Sequence, residues 1–123
     1  MKIAILTIFP EMFESVLQSS ILGRAISEGL ISITPVDIRP YSDRKHKNTD
    51  DYPFGGGAGM VMMPQPVVDA IEKNAESGMR RIYMSPRGRT LNQRIVEEYA
   101  QCDSLLFLCG HYEGVDQRAL DMC

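Results

Sequence analysis

Apolar positions along this chain fall into two periods, and the two alternate. Lys2–Ile8 (KIAILTI) is a nearly continuous, β-branched run closed by Pro10, which predicts a buried strand. Met12, Phe13, Val16, Leu17 and Ile21 then recur at helical spacing, with Gly29 as the stop. Ile31–Ile38 alternates like a strand, and Pro35, which has no N–H to give a ladder, assigns it to a sheet edge. Pro64 and Pro66 suit a helix start, followed by Val67, Ile71 and Ala75 on one face. Arg81–Ser85 is a further strand candidate. Thr90-Leu91-Asn92-Gln93 has the form of a capping box opening a helix with the stripe Leu91, Ile95, Val96 and Tyr99. Leu105–Cys109 is the clearest buried strand, and a last helix starts within Val115–Cys123. Strands alternating with helices predict an α/β fold, a parallel sheet with helices on both faces.

Composition narrows the class. At 123 residues the chain fits one domain, and 44% hydrophobic with 24% charged residues is the make-up of a packed globule. The longest apolar runs fall far short of the roughly 18 residues of a membrane span. The basic-then-apolar N-terminus is closed by Pro10-Glu11 before any leader-like cleavage pattern, so no signal peptide is expected. Cys102, Cys109 and Cys123 are odd in number and lack CxxC or Cys/His spacing, which argues against a disulfide framework and a zinc site.

Charge changes the picture more. The formal net charge is -3, yet four of the thirteen Lys and Arg lie in Arg39–Lys47 with only Asp43 against them. Five more lie in Arg80–Arg94 with no acid between them. Screening confines such fields to about 10 Å, so these islands can meet phosphates on an acidic chain or be plain solvated faces. The first island opens Arg39–Gly59, which shows no periodicity, and loops longer than about 12–15 residues are usually functional or disordered.

Ligands of open α/β sheets bind beyond the carboxyl ends of the strands, and two such ends carry chemistry here. Ser85-Pro86-Arg87-Gly88-Arg89 follows one strand and Gly110-His111-Tyr112-Glu113-Gly114 another. In the second, Gly110 and Gly114 admit close backbone approach, Tyr112 offers a ring to stack, and Glu113 offers a carboxylate for a metal, an amine or a proton. An ordinary strand-to-helix turn, with Asp116 near the helix start, would read the same way. Gly55-Gly56-Gly57-Ala58-Gly59-Met60 is neither a P-loop nor a GxGxxG fingerprint, because the Lys-Ser/Thr and the last Gly are missing. Its glycines supply open amides and freedom suited to a loop that closes over a partner. Asp50 and Asp51 either serve chemistry beside His46 or simply balance Arg44 and Lys45. His46 and His111 have no Ser or Cys at an informative spacing. Cys109 reads as a small buried hydrophobe, and Met60, Met62 and Met63 as core filler.

Four segments, taken in order, carry a resemblance. They are Ile8-Phe9-Pro10-Glu11-Met12-Phe13; Asp50-Asp51 with Phe54-Gly55-Gly56-Gly57-Ala58-Gly59-Met60; Ser85-Pro86-Arg87-Gly88; and Cys109-Gly110-His111-Tyr112-Glu113-Gly114-Val115-Asp116-Gln117-Arg118. Together they cover essentially the whole chain and resemble the bacterial tRNA (guanine-N1)-methyltransferases of the TrmD type. The resemblance implies a SPOUT-type trefoil-knot domain working as a cytoplasmic homodimer. The expected reaction moves a methyl group from S-adenosylmethionine to N1 of the guanosine 3′ of the tRNA anticodon.

The residues that the resemblance assigns to the methyl donor are Tyr83, Ser85, Pro86, Gly110, Tyr112, Glu113 and Gly114. Glu113 is also linked to a magnesium requirement and is the catalytic candidate within this chain. Arg44, Lys45 and His46 are expected near RNA phosphates, and Asp50 with Gly55, Gly56, Gly57 and Gly59 near the target guanosine. His111 stands where the family commonly has Arg, and Gln117 where Glu is common, which bears on RNA or dimer contacts. The family's general-base aspartate, its third donor loop, the rest of the knot and the C-terminal tRNA-binding domain all fall beyond Cys123. Residues 1–123 thus read as a truncated donor-binding domain, expected to have little or no turnover alone. Two other readings stay open: a non-catalytic RNA-binding or dimerisation fragment of the same fold, and a nucleotide-binding α/β module.

Overall fold

The structure, a computed structural model, describes residues 1–53, 55–57 and 59–123. Its centre is a four-stranded, all-parallel sheet in which every strand predicted from periodicity is present. The strands are β1 (Lys2–Thr7), β2 (Ser32–Asp37), β5 (Arg80–Met84) and β6 (Ser104–Cys109), in the order β2-β1-β6-β5. Pro35 does lie on an edge strand, opposite Ile5. Two short strands within and just after the aperiodic stretch, β3 (Asp50–Asp51) and β4 (Val61–Met62), form an antiparallel ladder of their own.

Strand alternation divides the sheet between two environments. Ala4 and Leu6 of β1 and Leu106 and Leu108 of β6 share one face, where Val67, Ala70 and Ile71 of helix α3 (Pro64–Asn74) close the main core. Each fully buried aliphatic side chain there contributes roughly 1.5–3 kcal/mol relative to exposure. The opposite face carries Ile3, Ile82 and Phe107 beneath helix α4 (Gln93–Ala100), with a groove of about 550 Å³ between them. Helices therefore lie on both faces, as the α/β pattern requires, but the packing is tight on only one.

Three expectations need correction. The single helix from Met12 to Ile21 is instead a 3-10 turn (Pro10–Phe13), then α1 (Glu14–Leu17) and α2 (Ser20–Ser27). The chain breaks at Ser19, which is extended, and Ser20, at φ +54°. Gly23 permits this corner, because a Cβ there would sit 2.5 Å from the Gln18 carbonyl oxygen. The capping box is also displaced. Asn92, not Thr90, caps α4 by accepting the Ile95 N–H at 3.0 Å, so Leu91 falls outside the helix and is exposed. Finally, α3 ends at Asn74, leaving Ala75 as its extended C-terminal neighbour.

Candidate active site

The order β2-β1-β6-β5 places a topological switch point between β1 and β6, since the chain leaves β1 towards one edge and returns to β6 from the other. Crevices at such points, beyond the carboxyl ends of the strands, are the usual ligand sites of open α/β sheets. In the register of β5 with β6, Met84 lies opposite Cys109. The Ser85–Arg89 and Gly110–Gly114 loops therefore leave the sheet side by side. Tyr83 reaches across: a Cβ on Gly110 would lie 3.3 Å from the Tyr83 ring and 2.9 Å from Val115. The loop after β1 joins them, with the Phe9 ring edge-on to His111 at 5.1 Å and His111 against Tyr112 at 4.7 Å. His111 thus has an aromatic setting between Phe9 and Tyr112. Sequence reasoning misses Phe9 as a site residue; its place in the first motif is the only signal.

The glycine run is brought to the same place. Past Gly59 the chain is laced to the loop after β6: the Glu113 N–H donates to the Met60 carbonyl at 2.9 Å, and the Met62 N–H to the Gly114 carbonyl at 2.9 Å. The Asp116 N–H donates to the Met62 carbonyl at 3.1 Å. Gly55, Gly56, Gly57 and Gly59 are exposed, all with positive φ, while Phe54 and Ala58 lie outside the described residues. Tyr112 is held at φ +59°, a left-handed conformation that costs a non-glycine residue roughly 1–2 kcal/mol. Such strain persists where neighbouring bonds over-determine the backbone, as the Glu113–Met60 bond does here.

The charged residues behave unequally. Arg44 donates to Asp51 at 2.7 Å, and this guanidinium, helped by the Tyr52 N–H, holds the Asp51 carboxyl below its ordinary range. For that pair the balancing role is the one observed. Asp50 is half-buried in β3, while Lys45 and His46 are exposed in the preceding turn. Asp116 caps helix α5 (Gln117–Leu120) through the Arg118 N–H and forks with the Arg118 guanidinium at 2.9 Å, which lowers its pKa. A cleft of about 370 Å³ gathers Arg44, Asp51, Tyr52, Gln65, Asp116 and Arg118. Sequence reasoning does not nominate Asp116 or Arg118 for the site; only the motif containing them points here.

The second basic island splits. Arg80 pairs with Glu98 at 3.0 Å and stacks on Tyr99, and Arg81 donates to the Met122 carbonyl, whereas Arg87 and Arg89 stay exposed in the loop after β5. Cys109 is half-buried, with its thiol pushed up by burial. Among the described residues no three His, Cys, Asp or Glu side chains gather to hold a metal. No helix of the described residues is long and apolar enough to cross a membrane.

A parallel sheet with loaded loops at its switch point defines an open α/β ligand-binding domain, and comparison with solved structures agrees with a SPOUT-type fold. The chain superposes on the crystal structure of a tRNA (m1G37) methyltransferase from Aquifex aeolicus with a TM-score of 0.85 and 32% identity, over 99% of this chain and 56% of that one. The family model described as tRNA (Guanine-1)-methyltransferase TrmD matches residues 1–123, and the chain belongs to that family. Curated relatives named tRNA (guanine-N(1)-)-methyltransferase are 55% identical in Halalkalibacterium halodurans and in Clostridium perfringens, each matched over 96% of this chain. The chain spans about half the length of these relatives, 49% and 50% respectively.

Proposed function

We propose that this chain is the donor-binding and target-facing half of an enzyme that methylates N1 of the guanosine 3′ of the tRNA anticodon. The observation that carries the reading is the convergence of three loops at the switch point: those after β1, β5 and β6, with Met60 and Met62, just past the glycine run, hydrogen-bonded onto the last. Tyr83, Ser85 and Pro86 with Gly110, Tyr112, Glu113 and Gly114 would hold S-adenosylmethionine. Gly110 lets the end of β6 pack directly against Val115 and Tyr83, which fixes the start of this loop beside Tyr83 and Ser85.

When bound, S-adenosylmethionine supplies a methyl group on a sulfonium. Ser85–Pro86 and Gly110–Gly114 orient the donor through backbone edges and the Tyr112 ring, because alignment of the reacting atoms supplies much of the rate. Glu113 offers its carboxylate to a positively charged group of the donor. Guanosine N1 carries a proton at neutral pH and must lose it before it can act as a nucleophile. By the family resemblance, the base that takes it lies beyond residue 123. Asp50 and the glycine amides line the approach of the target base. Arg44, Lys45 and His46 face the RNA backbone, where phosphate contacts position the splayed bases of an anticodon loop.

A second copy of the chain is part of this reading. Met12, Val16 and Ile21 expose 71%, 54% and 77% of their surface on the α1–α2 corner, an apolar stripe that suits a homodimer contact. A cytoplasmic location follows from a tRNA substrate.

The test is methyl transfer by the full gene product to tRNA transcripts carrying guanosine or adenosine 3′ of the anticodon. Transfer to the guanosine transcript alone, recovered as 1-methylguanosine, is expected. Salt-sensitive tRNA binding without transfer would leave a non-catalytic RNA-binding protein instead.

A further inference from the structure

Gly59 meets Glu113 in a way that neither the fold nor the motif requires. A Cβ built on Gly59 would collide outright with Glu113 Cγ, and would lie 3.1 Å from Cδ and 3.2 Å from Oε1. Carbon atoms do not approach so closely without steep repulsion, so one group must move. The Glu113 backbone is not free to retreat, because its N–H is bonded to the carbonyl of Met60, the residue that follows Gly59. The bonds that tie Gly114 and Asp116 to Met62 hold the same strip from its other side. The Glu113 side-chain torsions remain to absorb the collision.

We propose that Gly59 is a positioning residue: by presenting no Cβ, it sets the rotamer of Glu113 and so the pose of the carboxylate in the loop after β6. This rests on the reading of Glu113 as a donor-site carboxylate, and it gives the missing Cβ of Gly59 a role towards Glu113 beside the role of its amide towards the target base. A glycine outside the site supplies the control. Gly78, in the turn before β5, has φ +78° against +85° for Gly59, so alanine meets a left-handed φ at both. Yet a Cβ on Gly78 would meet nothing within 4 Å among the described residues.

The experiment compares Gly59→Ala, Gly78→Ala, Glu113→Ala and the double variant Gly59→Ala/Glu113→Ala in the full gene product. Two quantities are read: the Cγ and Cδ carbon shifts of Glu113 without ligand, and the Kd for S-adenosylmethionine by calorimetry. Gly59→Ala is expected to move the Glu113 shifts and weaken donor binding on the order of tenfold, a change of about 1.4 kcal/mol. Gly78→Ala should leave the shifts in place and Kd within about twofold. Once Glu113 is truncated, adding Gly59→Ala should cost no further affinity. If Gly59→Ala alone fails to fold, recovery of a cooperative melt in the double variant supports the same collision, and continued failure overturns it. Unmoved Glu113 shifts in Gly59→Ala, or equal losses with and without the Glu113 side chain, also overturn the proposal. A wild-type protein that does not bind the donor overturns the functional reading, while the carbon shifts still decide the pose.

Discussion

Leu106→Ala is expected to lower the unfolding free energy by about 2–5 kcal/mol, enough to remove much of the stability of a typical domain. Leu106 has no exposed surface and sits on β6, paired with Ala4 of β1 on one side and Arg81 of β5 on the other. Its side chain fills the face covered by α3, so truncation leaves a cavity that strands held on both sides cannot collapse to close. Leu30→Ala is the matched comparison: the same atoms are removed from a residue that is 67% exposed, and the change should stay within about 0.5 kcal/mol. Urea denaturation of the two variants checks this. Equal losses would mean that the buried face is not where the stability lies.

Gly110→Val should weaken donor binding on the order of a hundredfold, a change of about 2.8 kcal/mol, because the overpacked loop must shift. The first atom of the new side chain would already lie 2.9 Å from Val115 and 3.3 Å from Tyr83, so the branched side chain must push the loop after β6 away from Tyr83. Overpacking should also cost about 1–3 kcal/mol of stability, so a melt must accompany the calorimetric titration with S-adenosylmethionine. A folded Gly110→Val protein that binds the donor within about twofold of wild type would remove Gly110 from the site.

These two expectations show how differently fold and site are written in the sequence. Lys2–Ile8 and Leu105–Cys109 stand out because strands buried in a parallel sheet are apolar on both faces, and periodicity reads burial. The α1–α2 corner is invisible for the same reason. Val16, Leu17 and Ile21 keep helical spacing across a break that Gly23 and a left-handed Ser20 create, and spacing carries no record of φ. Asn92 competes with Thr90 for the cap, and both have side chains able to accept the hydrogen bond, so residue type alone does not choose.

For the site, Gly110–Gly114 and Ser85–Pro86 are legible because they follow strands. Their adjacency is not, since it depends on β6 inserting between β1 and β5, a matter of strand order. The lacing of Met60 and Met62 to Glu113, Gly114 and Asp116 is equally hidden, because β3 and β4 are two residues each and leave no period. That Arg44 is tied to Asp51 while Lys45 is exposed follows from the turn between them and β3, which charge counting does not see.

The most direct measurement follows backbone amide shifts of the full gene product while S-adenosylmethionine is titrated. A donor site at the switch point predicts saturable shifts centred on Ser85–Gly88 and Gly110–Val115, spreading to Met60 and Met62 through their hydrogen bonds. Ser85, Pro86 and Gly88 also line the groove beneath α4, so shifts there and at Ile82, Val96 and Tyr99 without any at Gly110–Val115, or no saturable shifts at all, would contradict it.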